Sequence, residues 1–180
     1  MGNTTYFAIA GAALLALSCI RDKEASLPAR EYVTEGTTVP SFLVPGAGDA
    51  VFRSPDDFEG RTTLLVFFAT WCPDCQAELP RIDAVWQALA DDPDCGVVAV
   101  SRGGAAGTYE QSPEILERYW TEHGLRMPWY LDGDRSVYDR FASAGIPRAY
   151  IVDATGTVVW KSAAPKFTAE EYLALLRQYR

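Results

Sequence analysis

The chain has 180 residues, 48% of them apolar, 12% aromatic and 22% charged, which fits one globular domain with a short segment to spare. Sixteen Lys and Arg against 24 Asp and Glu give a net charge of −8, which argues against nucleic acid or an anionic membrane surface as a partner, since both repel an acidic protein. The four cysteines, Cys19, Cys72, Cys75 and Cys95, are too few for a disulfide-rich scaffold. With a single histidine, His123, a zinc site would lack its second pair of ligands.

Tyr6 to Leu17 (YFAIAGAALLAL) is an unbroken apolar or small run, too short for a comfortable transmembrane helix but of the length of the apolar region of an export signal. It ends at Ser18-Cys19, and charged residues follow at once. A small residue directly before a cysteine at this place resembles the bacterial lipoprotein cleavage site. That resemblance implies lipidation of Cys19 and a membrane-anchored, extracytoplasmic (periplasmic) protein. A buried N-terminal helix or a plain secretory signal are the other readings of this run. The charged stretch up to residue 36 has neither helix nor strand periodicity and reads as a tether. The expected organisation is a signal peptide over residues 1–18, a tether over 19–36 and one domain over 37–180.

Within the domain, Val39–Val44 reads as a short strand, followed by a Gly46-Ala47-Gly48 turn and a second strand near Val51-Phe52. Thr63–Ala69 (TLLVFFA) is a buried central strand by length and by its β-branched and aromatic content. Leu79, Ile82, Val85, Trp86 and Leu89 then recur at helical spacing, with Pro80 placed to kink that helix. Gly96–Ser101 is a second buried strand. Ser112-Pro113-Glu114 starts a helix, with Ser as N-cap and Pro at the first helical position.

Trp129–Leu131 is a strand, Asp134–Ala142 a short helix, and Arg148–Val152 with Thr157–Trp160 a hairpin. Thr168 and Glu171 form a capping box for a last helix. The alternation implies a mixed sheet flanked by helices.

Cys72-Pro73-Asp74-Cys75 lies where the central strand meets its helix. Unpaired N–H groups and the positive end of the helix dipole favour thiolate there. Two intervening residues keep both sulfurs in the first turn, where they can close and reopen a disulfide. Cys72 would attack a substrate disulfide, and the deeper Cys75 would resolve the mixed disulfide. Pro73 stiffens the turn. Asp74 places a negative charge beside Cys72, which should raise its pKa and keep the pair reducing. The expected reduction potential is nearer thioredoxin's, about −270 mV, than DsbA's, about −120 mV.

Phe67-Phe68-Ala69-Thr70-Trp71-Cys72-Pro73-Asp74-Cys75-Gln76-Ala77-Glu78-Leu79-Pro80 resembles the active-site signature of the thioredoxin superfamily in its exported, TlpA-like branch, which includes reductases serving cytochrome c maturation. Gly145-Ile146-Pro147 is similar to that family's cis-proline loop. The resemblance covers roughly residues 36–180. It implies a thioredoxin-like α/β fold with a central mixed β-sheet, helices on both faces and an N-terminal β extension. It also implies thiol–disulfide exchange on exported proteins, with no cofactor beyond the redox-active Cys72–Cys75 disulfide and a membrane thiol protein as electron donor.

By the same resemblance, Trp71 shields the site and contacts substrate, while Ile146 and Pro147 form the substrate cleft. Cytosolic thioredoxins carry a buried Asp where this chain has Val66, and in the exported branch a Glu at the place of Glu78 often moves the proton instead. Glu78 follows Cys75 by three residues and so shares its helix face; a solvated surface Glu is the bland reading, as an ordinary turn is for Pro147. Cys95 reads as a buried thiol, with a third redox cysteine as the alternative. Two other functions compete. A non-catalytic binding lipoprotein of the same fold sits poorly with intact Cys72, Cys75 and Pro147. A peroxiredoxin-like peroxidase needs Thr and Pro where Ala69 and Leu65 stand.

Overall fold

The computed structural model describes residues 29–104 and 111–180; the apolar run and Cys19 lie outside them. The first two strands, β1 (Phe42–Pro45) and β2 (Val51–Ser54), pair antiparallel as a separate two-stranded sheet. β1 starts after Pro40 rather than at Val39, because a proline cannot donate to a ladder. The hairpin is the β extension expected from the sequence.

The main sheet has five strands in the order β5-β4-β3-β6-β7. They are β3 (Thr62–Phe68), β4 (Cys95–Arg102), β5 (Trp129–Asp132), β6 (Arg148–Val152) and β7 (Val158–Ser162). β3 is central, parallel to β4 and antiparallel to β6. Every residue of β3, β4 and β6 is buried, which is why these segments read as continuous apolar runs: both faces of the sheet are covered.

One face carries the three helices described, α1 (Pro73–Ala88), α2 (Pro113–His123) and α3 (Ala169–Gln178). Leu79 and Ile82 of α1, Leu116 and Trp120 of α2 and Tyr172 and Leu176 of α3 pack there on Leu64, Val66 and Phe68. On the opposite face, Leu65, Phe67 and Tyr150 meet Phe42 and Phe52 of the hairpin, together with Phe58 and Tyr138 from two short 3-10 turns. Among the described residues, helical cover on that face is limited to those turns, Asp56–Phe58 and Tyr138–Arg140.

The helix expected over Asp134–Ala142 is therefore reduced to its second half. Asp132 accepts backbone N–H bonds from Val137 (3.1 Å) and Tyr138 (2.7 Å), and Arg135 takes a left-handed φ of 66°. Both features interrupt a regular helix. Both sequence-read helix starts are present. Ser112 accepts from the Ile115 N–H, and Thr168 and Glu171 form the reciprocal capping box.

Residues 30–39 are not free of the domain. The Tyr32 N–H donates to the Phe141 carbonyl and the Val39 N–H to that of Gly156. Val33 and Val39 are buried. Glu31 bridges Arg148 (2.7 Å) and Lys161.

Candidate active site

β3 delivers the chain to the carboxyl end of the sheet, where Ala69-Thr70-Trp71 turns into α1. Cys72 is the N-cap of α1, with extended backbone (φ −88°, ψ 116°), and Pro73 is the first helical residue. No side-chain oxygen caps this helix, so its first N–H groups are left for the sulfur. Those of Asp74 and Cys75 point at Cys72 and favour its thiolate. The loop before the cysteines is fixed from behind. Gln76 Nε2 donates to the Thr70 carbonyl (2.7 Å), and buried Gln111 bonds Thr70 and Ser101.

Both cysteines are free thiols here, Cys72 7% exposed and Cys75 fully buried. The Cys72 thiol is pulled down to about 7, first by its hydrogen bond with Cys75 and then, against burial, by the two backbone N–H groups. The Asp74 charge pushes the other way, as expected from the sequence, but it is the weakest of these influences. Cys75 is pushed far up by burial and by the neighbouring Cys72 sulfur. The pair is thus split into a poised outer sulfur and an inner one that holds its proton.

Gly145-Ile146-Pro147 closes the other side. The Ile146–Pro147 peptide is cis, and the Cys72 thiol lies 3.5 Å from the Ile146 carbonyl as donor. Gly145 needs its glycine: its φ is 93°, and an added Cβ would sit 3.4 Å from Arg148 Nη2. Trp71 is half-buried beside Cys72, and its ring faces the Arg102 guanidinium at 5.6 Å.

Glu78 is not a solvated surface residue. It is 2% exposed, accepts from the Tyr172 hydroxyl (2.7 Å) and pairs with Arg81 (2.8 Å). It lines a cavity of about 210 Å³ together with Asp74, Arg81, Pro147 and Lys166. The structure therefore brings Trp71, Cys72, Cys75, Ile146 and Pro147 together, with Glu78 one helical turn away on the Pro147 side.

One neighbour of the site was not singled out from sequence: Tyr172 lies on α3, and nothing local marks its hydroxyl as the partner of Glu78. Arg102, one residue past the strand end read at Ser101, closes β4 and faces Trp71. Cys95 is buried at the start of β4, away from the pair, with burial raising its pKa. His123 stacks on Tyr119 at 3.9 Å in the last turn of α2. Among the described residues no group of His, Cys, Asp and Glu is arranged to hold a metal ion.

A family model described as the AhpC/TSA family matches residues 36–161. The chain belongs to the AhpC/TSA family. Within the curated relatives, it is 26% identical over 131 residues to thiol-disulfide oxidoreductase ResA of Bacillus subtilis, covering 72% of this chain and 68% of that one. It is also 26% identical over 113 residues to sporulation thiol-disulfide oxidoreductase A of the same organism, covering 63% of this chain and 65% of that one. The matched stretch thus spans about two thirds of those relatives.

Among solved structures, StoA from Bacillus subtilis superposes with a TM-score of 0.60 at 24% identity, covering 74% of this chain and 94% of that one. The exposed lipoprotein thioredoxin of Streptococcus pneumoniae superposes at 0.65 with 23% identity, covering 77% and 99%. The fold of this AhpC/TSA member is thioredoxin-like, as the sequence led us to expect.

Proposed function

We propose that this protein is a thiol–disulfide oxidoreductase that reduces disulfides of exported proteins through Cys72 and Cys75. The carrying observation is the split between the sulfurs at the start of α1. Cys72, near 7, is substantially thiolate at neutral pH, whereas Cys75 is buried and keeps its proton.

The Cys72 thiolate attacks a substrate disulfide, forming a mixed disulfide and releasing one substrate thiolate. Cys75 then loses its proton and attacks the Cys72 sulfur. The Cys72–Cys75 bond forms, the bond to substrate breaks, and the second substrate thiolate leaves to be protonated. The substrate gains two electrons, and the protein dithiol is oxidised to a disulfide. Glu78, buried one turn along α1, serves as proton acceptor for Cys75, and Tyr172 and Arg81 hold its carboxylate in place. Trp71, Ile146 and Pro147 form the cleft that takes the substrate chain; Pro73 and Asp74 tune the outer sulfur. No cofactor is required, but the oxidised pair needs an external dithiol, for which a membrane thiol protein is the fitting class.

The apolar run Tyr6–Leu17 and the Ser18-Cys19 junction support export, with Cys19 as lipid attachment point and a periplasmic, membrane-anchored location. The names of the relatives support the chemistry. The peroxidase reading has against it Ala69 and Leu65 at the places of its Thr and Pro.

Insulin reduction by dithiothreitol tests the activity. The protein is expected to accelerate it, and Cys72→Ala to return it to background. A wild-type rate equal to that of Cys72→Ala contradicts the proposal.

A further inference from the structure

Arg148 follows Pro147 directly and is 1% exposed. Its backbone leaves the Gly145-Ile146-Pro147 loop, and its side chain folds back on the loop's entry, where Nη2 donates to the Ala144 carbonyl at 2.9 Å. A Cβ on Gly145 would sit 3.4 Å from the same nitrogen, so the guanidinium lies against the loop's own backbone. One side chain thus ties the residue before the loop to the residue after it. Nη1 donates to Glu31 Oε1 at 2.7 Å, and the phenols of Tyr138 and Tyr150 also act on the guanidinium.

Glu31 is itself held on two sides. Residues 30–33 run antiparallel to residues 141–143, the chain that enters the loop. Glu31 bridges to Ala142, the Tyr32 N–H donates to the Phe141 carbonyl at 2.9 Å, and the Ser143 N–H donates to the Arg30 carbonyl at 3.0 Å. The second carboxylate oxygen accepts from Lys161 Nζ on β7. The Tyr138 hydroxyl and the Arg135 guanidinium hold the same entry chain from the turn after β5, at the carbonyls of Gly145 and Ser143. Those two bonds fix the entry chain, whereas Arg148 spans the loop from one end to the other. Its direction depends on Glu31, because a charge-assisted bond to a carboxylate is the stronger and more directional of its contacts. A guanidinium buried this deeply and stripped of its carboxylate turns toward water or another acceptor, and so away from Ala144.

We propose that Glu31 is a positioning residue for the reaction: by orienting Arg148 it holds the Gly145-Ile146-Pro147 loop in the form that accepts the substrate chain beside Cys72. The proposal rests on the dithiol-exchange reading above, with Ile146 and Pro147 as its substrate cleft. The Cys72 thiol lies 3.5 Å from the Ile146 carbonyl, so a shift of the loop changes where a bound disulfide meets the attacking sulfur, and small misplacements of that kind weaken productive binding. Glu31 makes no bond to substrate and moves no proton. The segment that reads from sequence as a tether is then part of substrate recognition.

Two disulfides of different size separate this role from a general one. Insulin has to occupy the cleft, while dithiodipyridine is small enough to reach Cys72 without it. For reduced Glu31→Ala, the insulin concentration that gives the half-maximal rate should rise at least about fivefold. Its maximal rate and its rate with dithiodipyridine should stay within about twofold of wild type. Lys161→Met removes the other ion pair of Glu31 but leaves Arg148 its carboxylate, and should keep all three quantities within about twofold. A merely structural role for the ion pairs would make the two variants alike.

Glu31→Gln repeats the comparison if the Ala variant loses its far-UV circular dichroism, with an expected rise of at least about threefold. An unchanged half-maximal insulin concentration overturns the proposal. So does an equal loss with dithiodipyridine, or the same rise in Lys161→Met. Wild-type protein that reduces no insulin would remove the dithiol reading itself, a result distinct from wild type and Glu31→Ala reducing insulin alike.

Discussion

Cys72 owes its lowered pKa to where the chain places it, beside Cys75 and at the start of α1. The Cys75 thiol makes the leading bond to its sulfur, and as an N-cap without an oxygen-bearing side chain Cys72 leaves the Asp74 and Cys75 N–H groups for that sulfur as well. The resulting value of about 7 matches the level of about 7 in thioredoxin and lies far from the value of about 3.5 in DsbA. Since the shift is downward from 9.0, thiolate accumulates as pH rises through about 7. Alkylation of reduced protein by iodoacetamide should follow that curve, and a midpoint near 8.5, the free-cysteine value, would contradict it. Asp74→Asn removes a negative charge that opposes the thiolate while keeping its N–H. The midpoint should then fall by up to about one unit, and the reduction potential should become less negative than a wild-type value near about −270 mV. A wild-type potential above about −180 mV would contradict a reducing role. The two cysteines, Glu78 and the cis-proline were legible at this scale because each sits in a short motif. Tyr172 was not, since its partner Glu78 lies on another element.

The elements show the same division between local and distant causes. Ser112 and the Thr168/Glu171 box were readable because a cap is written within four residues. Thr168→Ala should therefore cost about 1 kcal/mol, read as a lower urea midpoint at unchanged m-value. A larger cost would mean that α3, which carries Tyr172 to Glu78, depends on more than its cap. The segment Asp134–Ala142 went the other way. Val137, Tyr138, Phe141 and Ala142 are spaced like a helix face, and all four are buried. Yet Asp132, just outside the segment, takes the N–H groups of Val137 and Tyr138, and that competition leaves a 3-10 turn.

At the scale of the whole molecule, the mixed sheet followed from the alternation of elements and its buried central strands from hydrophobic runs, but the docking of residues 30–39 did not. Glu31 reads locally as part of a charged tether. Its partners, Arg148 and Lys161, lie 117 and 130 residues further on, so no local periodicity records them. Arg148 also donates to the Ala144 carbonyl (2.9 Å), which links the N-terminal segment to the chain entering the cis-proline loop. Lys161 first and Arg148 second hold the Glu31 carboxyl below its ordinary 4.5. The stabilisation this provides is present above pH 4.5 and is lost as pH falls through the depressed value. Glu31→Gln should then cost about 1–3 kcal/mol at neutral pH, with the difference from wild type shrinking as pH falls below 4.5 and through the depressed value. Urea unfolding across that range checks it, and a pH-independent difference would contradict the ion pairs.

The division of labour between the sulfurs is tested most directly by Cys75→Ser. Without the resolving thiol, a peptide disulfide should leave a stable mixed disulfide on Cys72, visible by mass and mapped by proteolysis, that wild-type protein clears. No adduct, or an adduct carried by Cys95 instead, would contradict the assignment of Cys72 as the attacking and Cys75 as the resolving residue.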